Sequence, residues 1–145
     1  MTVKIFDFES IEARAQKPFA PGTAIISIGD NGNESPKLKY APDYIIRLEF
    51  EDIAPDELDD EGRNPDHIFN DEQAREIAGF IYNVKDKTDT IICQCEYGQS
   101  RSAGLAAAIR EHFHGDGIDI FADDRYYPNK LVFRKVLNAL NELSK

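Results

Sequence analysis

The chain has 145 residues, 41% hydrophobic and 30% charged, and its 27 acids against 17 bases give a net charge of −10. That length fits one domain, residues 1–145, with a single core, and that charge disfavours nucleic acid and anionic membrane as bulk partners. Two cysteines only two residues apart, Cys93 and Cys95, cannot be bridged on a strand without strain. With no secretory leader and no apolar run of the ~20 residues needed to span a bilayer, a reduced, soluble, cytoplasmic protein is expected, with a monomer favoured.

Taken in chain order, Val3 to Phe8 reads as a first strand, and Ser10 as the N-cap of a short helix through Ala15. Thr23 to Ile28 is a second, apolar strand that ends in the turn-rich run Gly29-Asp30-Asn31-Gly32-Asn33. Tyr44 to Phe50 is a third. From Glu51 to Asp66 the chain is acidic, and Pro55, Gly62 and Pro65 argue for irregular structure. Asn70 and Gln73 form a capping-box variant ahead of Ala74, Ile77, Ala78 and Ile81, whose spacing turns one helical stripe toward a core.

Thr90 to Gln94 is a short apolar run, best suited to a buried central strand. An Ala-rich helix from Arg101 to His114 follows, closed by Gly115, and a last helix capped by Asn129 aligns Phe133, Val136, Leu137, Leu140 and Leu143. Strands interleaved with helices imply an α/β fold with a mainly parallel central sheet flanked by helices.

The segment Cys95-Glu96-Tyr97-Gly98-Gln99-Ser100-Arg101-Ser102 lies between the buried strand and the Ala-rich helix. Loop amides and a helix N-terminus direct free N–H groups into one concavity, which suits an anion. A cysteine at its base sits among those dipoles and a guanidinium, an environment that favours the thiolate. Arg101 supplies a planar fork able to hold two phosphate oxygens. Gly98 lets the loop adopt a conformation that a side chain would oppose.

This Cys-x5-Arg-Ser pattern resembles the signature of the protein tyrosine phosphatase superfamily, in particular its compact dual-specificity-like branch. The signature's late position and the helices on either side of Gly115 also resemble that branch, and the similarity runs from roughly Ile25 to Leu143. The resemblance implies a dual-specificity-phosphatase-like fold and a cysteine-dependent phosphomonoester hydrolase, with phosphotyrosine the favoured substrate class and no cofactor or metal. It implies that Cys95 is the nucleophile and forms a phosphocysteine intermediate. Arg101 and the amides of Glu96, Tyr97, Gly98, Gln99 and Ser100 would stabilise the transferring phosphoryl group, and Ser102 would hydrogen-bond the sulfur. The general acid implied by the family falls on Asp52, just after the third strand, with Asp56, Asp59 and Asp60 as rivals.

One position departs from the family. Gln94 stands where a histidine normally precedes the nucleophile, and glutamine supplies donors and an acceptor but no positive charge. A catalytically weak or inactive phosphate-binding module is therefore the first alternative, and a rhodanese-type sulfurtransferase the second. Phosphoinositides are disfavoured as substrates because Arg101 is the only cation in the loop. Cys93 reads as a buried structural thiol. His112 and His114, two apart on a helix, do not form a metal pair, and the acids near Gly62 miss the spacing of a calcium loop.

Overall fold

The computed structural model describes residues 1–145. Its sheet has four strands, β1 (Thr2–Phe6), β2 (Thr23–Gly29), β3 (Tyr44–Glu49) and β4 (Thr90–Gln94). They lie in the order β1-β4-β2-β3 and every pairing is parallel, so the expectation of a mainly parallel sheet is met by a wholly parallel one. Parallel strands need long crossovers: α1 (Phe8–Arg14) lies between β1 and β2, a helix-free loop joins β2 to β3, and α2 (Asp71–Val84) lies between β3 and β4, after which α3 (Arg101–His114), α4 (Ile118–Phe121) and α5 (Lys130–Leu143) complete the chain. None of these helices is long and apolar enough to cross a membrane.

Side chains alternate across a strand, so the sheet sorts its residues between two faces. Ala24, Ile26 and Ile28 of β2, with Ile91, Cys93 and Cys95 on or just beyond β4, enter the main core, which α2, α3 and α5 cover. Ile25 and Ile92 face the other way, onto Ile11 of α1. Both cysteines therefore point to the multi-helix side, while Gln94 shares the opposite face with Ser27, its register partner on β2. β4 lies between β1 and β2, as its uniformly apolar run requires.

The helix signals hold with three adjustments. Asp7, not Ser10, caps α1; its carboxylate accepts from the Ser10 amide at 2.7 Å, so Ser10 sits in the first turn. On α5 the buried residues are Leu131, Val132, Val136, Ala139 and Leu140, whereas Leu143 is exposed. The apolar arc is wider than a single stripe because α5 packs against both α2 and α3. The four-residue α4 is too short to leave a periodic pattern. The capping box of Asn70 and Gln73 is present in both directions, and Gly115 closes α3 in the left-handed conformation.

The acidic segment after β3 is ordered by a cation. It contains two single 3-10 turns, Pro55–Glu57 and Pro65–His67. The Arg63 guanidinium lies 3.5 Å from Glu57, 3.5 Å from Asp60 and 3.9 Å from Glu51. Glu51 also meets His67 at 3.2 Å. A cluster sharing one guanidinium restrains a loop better than isolated surface pairs would, and it fixes the stretch that begins at Asp52.

Candidate active site

Cys95, Arg101, Ser102 and Asp52 lie at the carboxyl edge of the sheet, where β4 ends and α3 begins. In an open parallel sheet this edge gathers the loops around helix N-termini. Cys95 is 2% exposed and Arg101 3% exposed, so both are buried beneath the loop that joins them. The Cys95 amide donates to the Phe6 carbonyl at 3.3 Å, and the Phe8 amide donates to Glu96 at 3.1 Å, which ties the start of the loop to β1 and α1.

Gly98 is the loop's conformational hinge. Its φ is +64°, in the left-handed region, and a Cβ there would come within 2.9 Å of the Asp7 amide nitrogen. Only glycine satisfies both the torsion and the close approach. With the loop curled this way, the amides of Glu96, Tyr97, Gly98, Gln99 and Ser100 donate to no acceptor in the chain. The first amides of α3 lack intrahelical partners by construction. A run of free donors is what an anion cradle requires.

Arg101 is anchored by one end only. Its Nη1 donates to Asp30 Oδ1 at 2.8 Å and to the Phe50 carbonyl at 2.7 Å. Its Nε is buried without any partner, and Nη2 makes no hydrogen bond within the chain. A buried guanidinium N–H left unpaired is costly, by roughly 1–3 kcal/mol for an ordinary donor and more for a charged one. An anion bound at this edge of the guanidinium would satisfy it. The Nε/Nη2 edge presents two parallel donors, the geometry that holds two oxygens of one phosphate.

Asp30 was not singled out in the sequence; it belongs to the turn-rich run after β2, whose position at the same sheet edge was the available signal. Cys95 Sγ and Ser102 Oγ lie 3.0 Å apart and buried, so the hydroxyl after the arginine does reach the sulfur. Cys93 is fully buried, and desolvation, with a smaller contribution from Cys95, pushes its thiol well above the usual range. It remains a neutral thiol. Both cysteines are free.

Asp52 comes to the loop, and its rivals do not come as close. Its Oδ1 accepts from Ser100 Oγ at 2.7 Å and from Asn129 Nδ2 at 2.8 Å, while Oδ2 has no partner. Asn129 also donates to the Ile53 carbonyl at 3.1 Å, and its own amide donates to the Ser100 carbonyl at 3.0 Å. The residue read as a helix cap, which it is for α5 through the Val132 amide, thus also fastens Asp52 to the loop. Asp56 lines the adjoining cleft, whereas Asp59 lies outside it and Asp60 pairs with Arg63. That cleft, about 490 Å³, lies between Asp52 and Ser100 on one side and the start of α5 on the other, and neither Cys95 nor Arg101 lines it.

Gln94 is 1% exposed, and its side-chain oxygen accepts from Ser27 Oγ. Because residues 94 and 95 point to opposite faces, this amide sits behind the loop and brings no charge to it. No cluster of side chains in the chain has the make-up of a metal site.

The sequence matches no protein-family profile and no curated protein sequence. Solved structures do match. The chain is similar to PTPMT1, determined in complex with PI(5)P, over 99% of its own length and 92% of that chain, with a TM-score of 0.58 at 13% identity. It is similar to human tyrosine phosphatase-like serine/threonine/tyrosine-interacting protein over 98% and 90%, with a TM-score of 0.57 at 19% identity. For human DUSP28 the shares are 98% and 93%, with a TM-score of 0.55 at 12% identity. At these identities the likeness is one of fold.

Proposed function

We propose that this chain, whose fold is that of the dual-specificity and protein tyrosine phosphatases, is a cysteine-dependent phosphomonoester hydrolase that uses Cys95 as its nucleophile. One observation carries the reading: Arg101 is fixed through Nη1 while its buried Nε is orphaned, beside five loop amides without acceptors. A tetrahedral dianion accounts for both sets of unsatisfied donors.

In the first step the Cys95 thiolate attacks phosphorus. The S–P bond forms as the P–O bond to the leaving group breaks, and Asp52 gives its proton to the departing oxygen from the unpartnered Oδ2. Arg101 and the loop amides hold the three equatorial oxygens, whose charge they match best in the transition state. In the second step Asp52 takes a proton from water, the water oxygen attacks phosphorus, and the S–P bond breaks to release phosphate. Ser102 Oγ, at 3.0 Å, donates to the sulfur as it regains its charge.

Phosphotyrosine is the favoured substrate class. With Cys95 only 2% exposed, its sulfur is reached more easily by a long aryl phosphate than by a short alkyl one. PTPMT1 has been determined with PI(5)P, but here Arg101 is the only cation of the loop, which argues against a phosphoinositide headgroup.

A second reading, a module that binds phosphate without turnover, is favoured by Gln94, which is neutral and faces away from the sulfur. A pH–rate profile with an aryl phosphate separates the two. Turnover should vanish in Cys95→Ser, and Asp52→Asn should lose about 10²–10⁴-fold together with the basic limb of the profile. Turnover surviving in Cys95→Ser would exclude the mechanism, and phosphopeptide capture without any turnover would establish the module.

A further inference from the structure

The cleft that Asp52 and Ser100 line is walled on its other side by α5, and two cations of that helix line it: Lys130 in its first turn and Arg134 one turn later. Both are exposed, and neither takes part in an ion pair, unlike Lys135 of the same helix, which holds Asp71 at 2.7 Å. Three acids line the facing wall, and two of them are engaged. Asp52 is held by Ser100 and Asn129, and Glu57 accepts from the Ala54 amide and pairs with Arg63. Asp56 alone is uncommitted. An anion entering this cleft is thus repelled from one wall and drawn to the other.

The first of these cations is tied to the loop through its neighbour. The Asn129 amide bonds the Ser100 carbonyl of the loop, so Lys130 follows directly from a residue in contact with the loop, and Arg134 lies about 6 Å further along the helix axis. A peptide advances ~3.3–3.6 Å per residue, so an acidic side chain one or two residues from a phosphotyrosine spans that interval. Tyr127, which lines the same cleft and is 74% exposed, and Tyr97, in the loop and 76% exposed, offer aromatic surface to such a segment.

We propose that Lys130 and Arg134 form a second anion-binding subsite, which selects a phosphotyrosine segment carrying an acidic side chain next to the phosphorylated residue. The proposal rests on the phosphatase reading and names the substrate of that same site. An anionic bilayer fits less well, because the net charge of −10 and the wall carrying Asp56 and Glu57 would be pressed against it.

The test is binding of two phosphotyrosine peptides to the Cys95→Ser protein, one with glutamates beside the phosphotyrosine and one with alanines. At ~0.03 M salt the acidic peptide should bind about five- to tenfold tighter, the sum expected from two exposed charge contacts. The preference should shrink toward parity at ~1 M salt, where the screening length is ~3 Å. In Lys130→Gln/Arg134→Gln the ratio of the two affinities should fall to about one, and in Lys130→Glu/Arg134→Glu it should invert, because the pair contacts are replaced by repulsion of similar size. Equal affinity of the two peptides for the parent protein overturns the subsite, as does a preference that survives the double substitution or a failure to bind either peptide. So does stronger binding to phosphatidylinositol-phosphate vesicles than to the acidic peptide. Because this is a binding ratio, it decides the subsite even if the wild-type chain hydrolyses no aryl phosphate, the result that would defeat the phosphatase reading itself.

Discussion

Replacing Gly104 by alanine isolates the tie between the phosphate loop and the last helix. By intrinsic preference alone the change should stabilise α3, since Gly costs about 1 kcal/mol relative to Ala in a helix interior. The structure reverses that sign. A Cβ at position 104 would overlap the Asn129 carbonyl oxygen and crowd its amide nitrogen and carbonyl carbon at 3.2 and 3.3 Å. These are backbone atoms, so α3 and the start of α5 must separate by on the order of 1 Å to restore ordinary contact. Overpacking of this kind costs about 1–3 kcal/mol, which outweighs the helix gain and leaves a net loss of up to about 2 kcal/mol.

The movement falls on Asn129, whose amide holds Ser100 and whose side chain holds Asp52. A displacement of about 1 Å at a positioning residue can cost ~10²-fold in rate. Urea denaturation and steady-state hydrolysis of an aryl phosphate measure the two effects on one sample. A variant stabilised by about 1 kcal/mol with unchanged kcat/KM would show that Asn129 does not couple this packing contact to the site, and the reasoning would fall.

Asp30→Ala removes the charged anchor of Arg101 and leaves only the Phe50 carbonyl on Nη1, so kcat/KM should fall about 10- to 100-fold, in the range set by losing a charge-assisted hydrogen bond; urea denaturation should show the variant still folded, and wild-type kinetics would deny the anchor a role. Alkylation with iodoacetamide followed by mass analysis should label Cys95 alone and be slowed by inorganic phosphate, because burial holds the Cys93 thiol above its usual range; labelling of Cys93 first would contradict this. Arg110 holds the Asp116 carboxyl below its usual value through a 2.6 Å hydrogen bond. A depressed folded-state value adds stability above the unfolded value of ~3.9 and loses it as pH falls through the folded one. Asp116→Asn should therefore flatten the stability profile only below pH ~4, as acid titration followed by circular dichroism would show.

The parts legible in the sequence are those fixed by neighbours along the chain. The run from Thr90 to Gln94 was best suited to an interior strand, and the segment from Cys95 to Ser102 read as a loop leading into a helix, which is the order β4, loop, α3 that the fold has. The partner of Arg101 was not legible: Asp30 lies 71 residues away and meets the guanidinium only because β2 and β4 are adjacent. The acidic stretch after β3 read as irregular because proline and glycine interrupt it, yet the 3-10 turns form around Arg63, a contact that no periodicity reports. Asp7 displaced Ser10 as the α1 cap because either residue type suits the position, and chain geometry decided it. The two roles of Asn129 share one side chain, and only the capping role is local.

The strand order has a consequence for the history of the molecule during synthesis. β1 is made first, but its register partner for Thr2 is Thr90, and β2 likewise has to leave a gap for β4. The middle of the sheet is therefore the last piece to arrive. Pairings this distant along the chain make for slow closure, and on a ribosome adding residues from the N-terminus the nascent chain holds an open slot until late in translation. The sulfur at the end of β4 enters a core shared with α3 and α5, both made after it, so filling the slot in the sheet does not by itself shelter it and the closing helices must also pack.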